Sequence, residues 1–202
     1  MKTPAIPDNE VERLRSLNAT GLLDTEYEER FDRLTRIARN VFGVKIALVT
    51  LVDRNRQWFK SCQGLEVRET PRDVSFCGHA ILQRDVFVVE NSLTDPRFAD
   101  NPLVTEQPEI RFYAGAPLNS PDGYRIGTLC VIDDQPRRFS AEDRQSLRDL
   151  ADCVEEEIGK SLRRRYYQAL EALAAIRVDA RSDLQSCLRE GLSLGCEYLR
   201  LP

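Results

Sequence analysis

From Ser140 to Ala180 the chain runs without a proline and with a single glycine, Gly159. Ser140 and Asp143 stand as N-cap and N3 residues at its start, and Leu147, Leu150, Ala151, Val154, Ile158 and Leu162 recur behind them at helical spacing. The same period continues through Tyr166, Ala169, Leu173 and Ile176. About 38 residues at 1.5 Å each span roughly 55 Å, more than the width of a domain of ordinary size. Such a helix cannot pack wholly on its own domain. Its first turns cap the domain; the remainder projects, and a projecting apolar seam needs a partner helix. Leu147, Leu150, Val154, Ile158 and Leu162 are the candidate dimer residues. Glu155–Glu156–Glu157 and Arg163–Arg164–Arg165 flank the seam, so a four-helix contact with the N-terminal helix is as well supported as a strict coiled coil.

Upstream, the periods alternate. Asp8 reads as the N-cap of a helix to about Ala19, with Val11, Leu14 and Leu17 on one stripe, ended by Gly21. A second helix begins near Thr25 and carries Phe31, Leu34, Ile37, Ala38 and Val41, ended by Gly43. Lys45–Asp53 is rich in β-branched residues and reads as a strand buried on both faces. Gln57–Cys62 returns beside it, with Trp58 and Phe59 on opposite faces. Gly64–Val74 reads as a charged loop, Ser75–Leu82 as a short helix, Val86–Val89 as a strand and Asp95–Val104 as a loop with a helical turn. Phe112–Leu118 and Arg125–Asp133 form a hairpin around Ser120-Pro121-Asp122-Gly123. Asp179–Pro202 is a fresh amphipathic helix, which one domain cannot bury alone.

Composition narrows the function classes. The 202 residues are 42% hydrophobic and 31% charged, enough for a packed core. A net charge of −4 lacks the basic footprint of nucleic-acid binding. No apolar run approaches the roughly 18 residues of a membrane span, and residues 1–10 hold no signal-peptide core. Six cysteines without a C-x-x-C pair, and one histidine, His79, argue against a disulfide scaffold or a zinc ribbon. No metal site is expected, and the chain reads as cytoplasmic.

The order of elements resembles a GAF domain. The residues that carry the likeness are Glu28–Asp32, Ala47–Ser61, Glu69–Ile81, Asp95–Val104, Ile110–Leu118 and Gly127–Asp133. They resemble the bacterial subgroup found at the N-terminus of sensor histidine kinases and diguanylate cyclases. The resemblance implies an α+β fold: a central antiparallel sheet, helices on one face, a ligand-sized pocket on the other, and a long C-terminal signalling helix. It divides the chain into an N-terminal helix (1–24), a GAF domain (25–158), a continuation of the linker helix (159–180) and the start of a truncated second GAF domain (181–202). The chain would then be a piece of a longer sensor.

Phe76-Cys77-Gly78-His79 is the stretch richest in chemistry. On a helix Cys77 and His79 point about 200° apart, so a nucleophile–base dyad is disfavoured. The simpler expectation is that Cys77 packs as a small hydrophobe and His79 bonds a loop. A second cluster, Asp95, Phe98, Asn101, Arg111 and Tyr113, reads either as pocket wall or as loop scaffolding in which Arg111 pairs with Asp95 or Asp100. Trp58 is core or pocket wall. With Phe76, Cys77, His79 and Cys130 these residues make the candidate ligand pocket.

Some GAF proteins are free methionine-R-sulfoxide reductases, and Cys77-Gly78 matches their Cys-Gly pair. Their other cysteines lie in the following loop, and here Asn91–Glu109 has none. Cys62 and Cys130, on strands, are the thiols that could approach Cys77. The cyclic-nucleotide motif Asn-Lys-x-x-Phe…Asp-Glu has no match, and a glycine splits the Cys-His pair of bilin-binding GAF domains. The expectation is therefore a non-enzymatic sensory domain. It binds an unidentified small molecule, works as a homodimer and relays a population shift to an output module elsewhere. A sulfoxide reductase and a ligand-free dimerisation scaffold are the alternatives. No cofactor is assignable.

Overall fold

The computed structural model describes residues 1–175, with Arg189 and Ser193 beyond them. Apart from those two, the helix expected over residues 179–202, with Cys187 and Cys196, lies outside the described residues.

Two helices open the chain, α1 (Glu10–Thr20) and α2 (Glu29–Phe42), each stopped by a left-handed glycine, Gly21 at φ 66° and Gly43 at φ 57°. Strands β1 (Ile46–Val52), β2 (Arg56–Gln63) and β3 (Glu69–Pro71) follow, then a short helix α3 (Phe76–Ala80) and β4 (Phe87–Val89). A single turn, α4 (Pro102–Thr105), precedes the hairpin β5 (Phe112–Asn119) and β6 (Arg125–Asp133), and α5 (Ala141–Ala175) closes the described chain. The six strands form one antiparallel sheet in the order β3-β2-β1-β6-β5-β4. This is the expected α+β sheet flanked by helices with a long C-terminal helix.

The period of two divides the sheet into two cores. Ala47, Val49 and Leu51 of β1, with Phe112, Ala114 and Leu129, pack against α1, α2 and α5. Ile46, Leu48 and Val52 face the other way, with Phe59, Tyr113, Cys130 and Ile132, under α3 and the long connections. Every residue of β1 is buried, as a strand covered on both faces requires. In β2 the register slips by one residue against β1 at Val49/Thr50, a bulge. Phe59 faces one core, and Lys60 and Ser61 both face the helices. Lys60 is fully buried there, its Nζ donating to Thr25 Oγ1 and Glu26 O at 2.6 Å and pairing with Glu28 at 2.8 Å. Ser61 donates to Asp32 at 2.6 Å.

Several expectations need correction. Asn9, not Asp8, is the N-cap of α1, and its side chain makes no capping bond. Val11, Ile37 and Val41 are exposed, while Arg13 and Thr35 are buried on the same helices. Ser140 and Asp143 do exchange reciprocal bonds at 2.9 and 3.0 Å at the start of α5. The seam behind them serves a different purpose from dimerisation. Leu147, Val154 and Ile158 are fully buried in their own domain's core, Leu150 packs against that core, and Leu162 is half-buried. A period of 3.6 reports that a face is covered, not by which chain. The exposed apolar residues of α5 lie further on, at Tyr166, Tyr167, Leu170 and Leu173.

Candidate functional site

On the face of the sheet away from α1, α2 and α5, the β2–β3 connection and the segment from Leu103 to Ile110 leave an open cavity of about 320 Å³. Leu48, Phe59 and Ile132 of the strands form its floor. Strand β3, where a charged loop was expected, pairs with Arg56–Trp58 and sets Thr70 opposite Gln57. Gln57 is 5% exposed; its Nε2 donates to Thr70 Oγ1 at 2.7 Å, and its Oε1 is buried without a partner. An acceptor left in that state costs about 1–3 kcal/mol.

None of the ten residues expected to line a pocket lines this cavity. Trp58 is on the opposite face, in the core beneath the helices, with Arg56 and Arg68 over its ring. Phe76, Phe98 and Tyr113 fill the space the pocket was expected to occupy. Phe76 stacks on Phe98 at 4.0 Å between centroids, and Tyr113 tilts against Phe76 at 5.2 Å. His79 meets Phe98 edge-on at 5.0 Å, and its Nε2 donates to Lys2 O at 2.8 Å. Burial pushes its pKa down, so it sits as a neutral imidazole tying down the N-terminal segment.

Asp95 pairs with Arg97 at 2.6 Å, and Asp100 with the N-terminus, so neither pairs with Arg111. Arg111 instead donates to Val104 O at 2.8 Å. Asn101 is the N-cap of α4, accepting from Leu103 N, while its amide donates to Val74 O. These three residues hold loops.

Cys77 and Cys130 do come together, with sulfurs 3.9 Å apart and Tyr113 Oη donating to Cys77 at 3.4 Å. Ser75 caps α3 by accepting from Gly78 N at 2.7 Å, which aims Cys77 at the sheet. Burial opposes a charge on Cys77, yet hydrogen bonds from Cys130, Thr128, Thr50 and Tyr113 outweigh it and lower its pKa from 9.0 to about 6. Cys130 moves well up, because burial and the Cys77 thiolate both disfavour a second charge. Among the described residues no group of three or more His, Cys, Asp or Glu is placed to hold a metal ion.

The two-sided sheet, its helical layer and the cavity under long connections define a GAF domain. A family model of the GAF domain matches residues 26–158, and the chain belongs to that family. Over 142 residues it is 46% identical to a cyclic di-GMP phosphodiesterase of Pseudomonas aeruginosa, a match covering 70% of this chain and 24% of that protein. The chain thus matches about a quarter of the length of that curated relative.

Among solved structures, the blue-light absorbing form of the PixJ GAF domain of Thermosynechococcus elongatus superposes with a TM-score of 0.56. It is 13% identical, over 86% of this chain and 100% of that one. The free methionine-R-sulfoxide reductase of Neisseria meningitidis gives 0.55 at 20% identity, over 81% and 98%. The expectation of a chain without enzymatic activity does not stand against these findings. A relative at 46% identity is named an enzyme, and reductases are built on this same fold. Family and relative together support a place in signal transduction. Among the described residues no helix is long and apolar enough to cross a membrane.

Proposed function

We propose that the chain is the GAF portion of an enzyme of cyclic di-GMP turnover, a phosphodiesterase like its relative. A small molecule bound by this domain shifts α5 between two populations and so sets the rate of hydrolysis. The observation that carries this is the 46% identity over 142 residues. Two copies pair through the outer part of α5, where Tyr166, Tyr167, Leu170 and Leu173 are exposed. The test uses the full-length protein in which this sequence occurs. It is expected to convert cyclic di-GMP to the linear dinucleotide and to run as a dimer in native mass spectrometry. Absence of turnover overturns the enzyme assignment, and a monomer overturns the pairing.

The thiol pair favours a second activity, reduction of methionine sulfoxide. Phe76, Phe98 and Tyr113 close the space over the pair, so the reaction requires that cluster to open; the Cys77 thiolate would then attack the sulfoxide sulfur and, with uptake of one proton, the thioether leaves and the oxygen stays on Cys77 as a sulfenic acid. Cys130 would then close a disulfide with loss of water, and an external dithiol would restore both thiols. Free methionine-R-sulfoxide supplied with dithiothreitol should be consumed by the wild-type chain, and Cys77→Ser should abolish that consumption. Equal rates in the two proteins would remove this activity.

A further inference from the structure

The core under α3 gathers two thiols and three hydroxyls among apolar side chains. The sulfurs of Cys77 and Cys130 are in contact at 3.9 Å, and Tyr113 Oη donates to Cys77 at 3.4 Å. Thr50 and Thr128, opposite one another on β1 and β6, share a hydrogen bond of 2.9 Å and also bond Cys77. Gly115, the β5 residue paired with Cys130, leaves the room in which the phenol lies, since a Cβ there would collide with Tyr113 Oη. A cysteine that only fills space needs no such donors. Here they hold Cys77 as the thiolate, the form that attacks electrophiles. That charge in turn helps to keep the proton on Cys130. The roles follow from this asymmetry: Cys77 attacks first, and oxidising it removes the charge that held Cys130 back. Access sets the other limit. Cys77 is 2% and Cys130 0% exposed, beneath Phe76, Phe98 and Tyr113. A reagent about the size of water passes such a layer in small local openings, whereas a bulkier one requires the rings to part. Hydrogen peroxide is an oxidant of that size.

We propose that Cys77 and Cys130 form a two-thiol site that reduces hydrogen peroxide, in preference to bulkier hydroperoxides, and closes to a disulfide. The Cys77 thiolate attacks one peroxide oxygen. An S–O bond forms, the O–O bond breaks, and the departing hydroxide takes up a proton and leaves as water. Cys77 is then a sulfenic acid. The Cys130 sulfur attacks the Cys77 sulfur, the S–S bond forms and the S–O bond breaks. The hydroxide leaves with the Cys130 proton as a second water. Over both steps the two thiols give up two electrons and two protons, and one peroxide becomes two waters. An external dithiol restores the pair. The reaction shares its disulfide with sulfoxide reduction but not its oxidant, and it rests on neither activity proposed above.

The whole chain, reduced and then freed of dithiol, is treated with hydrogen peroxide and, separately, with cumene hydroperoxide. Each product is mapped by peptide mass spectrometry without reduction. Hydrogen peroxide is expected to join the Cys77 and Cys130 peptides within one chain, with loss of two hydrogens, and dithiothreitol to separate them. Cumene hydroperoxide should form the same link on the order of tenfold more slowly, because its ring has to part the aromatic cluster. In Cys130→Ser the reaction should stop at a sulfenic acid on Cys77 that dimedone traps. Absence of the Cys77–Cys130 link in the oxidised wild-type chain overturns the proposal without reliance on any variant. So do equal rates with the two oxidants, a link through Cys62 or Cys153 in its place, or a folded Cys130→Ser chain whose Cys77 takes up no dimedone. Cyclic di-GMP turnover and consumption of methionine sulfoxide are measured separately, so failure of either assignment and failure of this site are told apart.

Discussion

Glu10→Gln should destabilise the domain by about 3 kcal/mol at neutral pH. Glu10 opens α1 and sits between two buried guanidiniums. Arg13 reaches it at 2.7 and 2.9 Å and Arg72 at 2.5 Å. Arg13 is 1% and Arg72 4% exposed. The same two arginines clip α1 to the β1–β2 turn, Arg13 donating to Val52 O at 2.6 Å and Arg72 to Asp53 O at 3.0 Å. Neutralising the carboxylate leaves two cations out of water without a counter-charge, which costs several kcal/mol where such groups are buried.

The same contacts set the pH dependence of this contribution. Burial alone would raise the Glu10 pKa, but the hydrogen bonds from Arg13 and Arg72 outweigh it and bring it from 4.5 to about 2. A folded-state value below the unfolded one adds stability that is complete above about pH 4.5. That stability is lost as the pH falls towards 2. The 2.5-unit difference corresponds to about 3 kcal/mol. Urea unfolding at pH 7 should therefore show the full loss for Glu10→Gln; the difference should shrink steadily below pH 4.5, and the variant and the wild type should converge only at pH 2 and below. A difference below about 1 kcal/mol at pH 7, against the several expected for a buried network, would sink the account.

Phe98→Ala should cost about 3–5 kcal/mol, the range for emptying a buried aromatic site. Phe98 is fully buried, stacked on Phe76 with only 8° between the ring planes, and covered by the guanidinium of Arg97 at 5.3 Å. It stands between the loop after β4 and α3, so the space it vacates lies beside the helix that carries Cys77. The variant should unfold at lower urea concentration with an unchanged slope. Its Cys77 should also react faster than wild type with a small alkylating reagent. A loss under 1 kcal/mol would mean that the aromatic cluster collapses to fill the hole and contributes little to rigidity.

The candidate site was only partly legible in the sequence. Trp58 and Phe59 had to face opposite ways because a strand alternates, and they do. Alternation also puts Gln57 beside Phe59 on the inner face, a polar residue at a core-facing position, and that was the available signal for the cavity. Strand β3 hides that signal, because Glu69–Pro71 is short, carries a charge and a proline, and looks like loop. Without β3 nothing brings Thr70 to Gln57. Cys77 and Cys130 lie 53 residues apart in sequence, and only the seating of α3 on β5 and β6 makes them neighbours. The aromatic residues around them read as the wall of a pocket, yet in the fold they touch one another and close it.

Local periodicity determined the elements, because each strand or helix displays its covered face in its own spacing. The left-handed stops at Gly21 and Gly43 and the reciprocal cap between Ser140 and Asp143 are equally local, since each is settled by residues within one turn. What covers a face is not local. Leu147, Val154 and Ile158 carry the same 3.6 period whether they meet their own sheet or another chain, and only the tertiary structure showed them spent on their own core. The Glu10–Arg13–Arg72 network, the thiol pair and the unpartnered Gln57 oxygen each join segments far apart in the chain. Their energies depend on burial and distance, and both quantities exist only once the sheet is assembled.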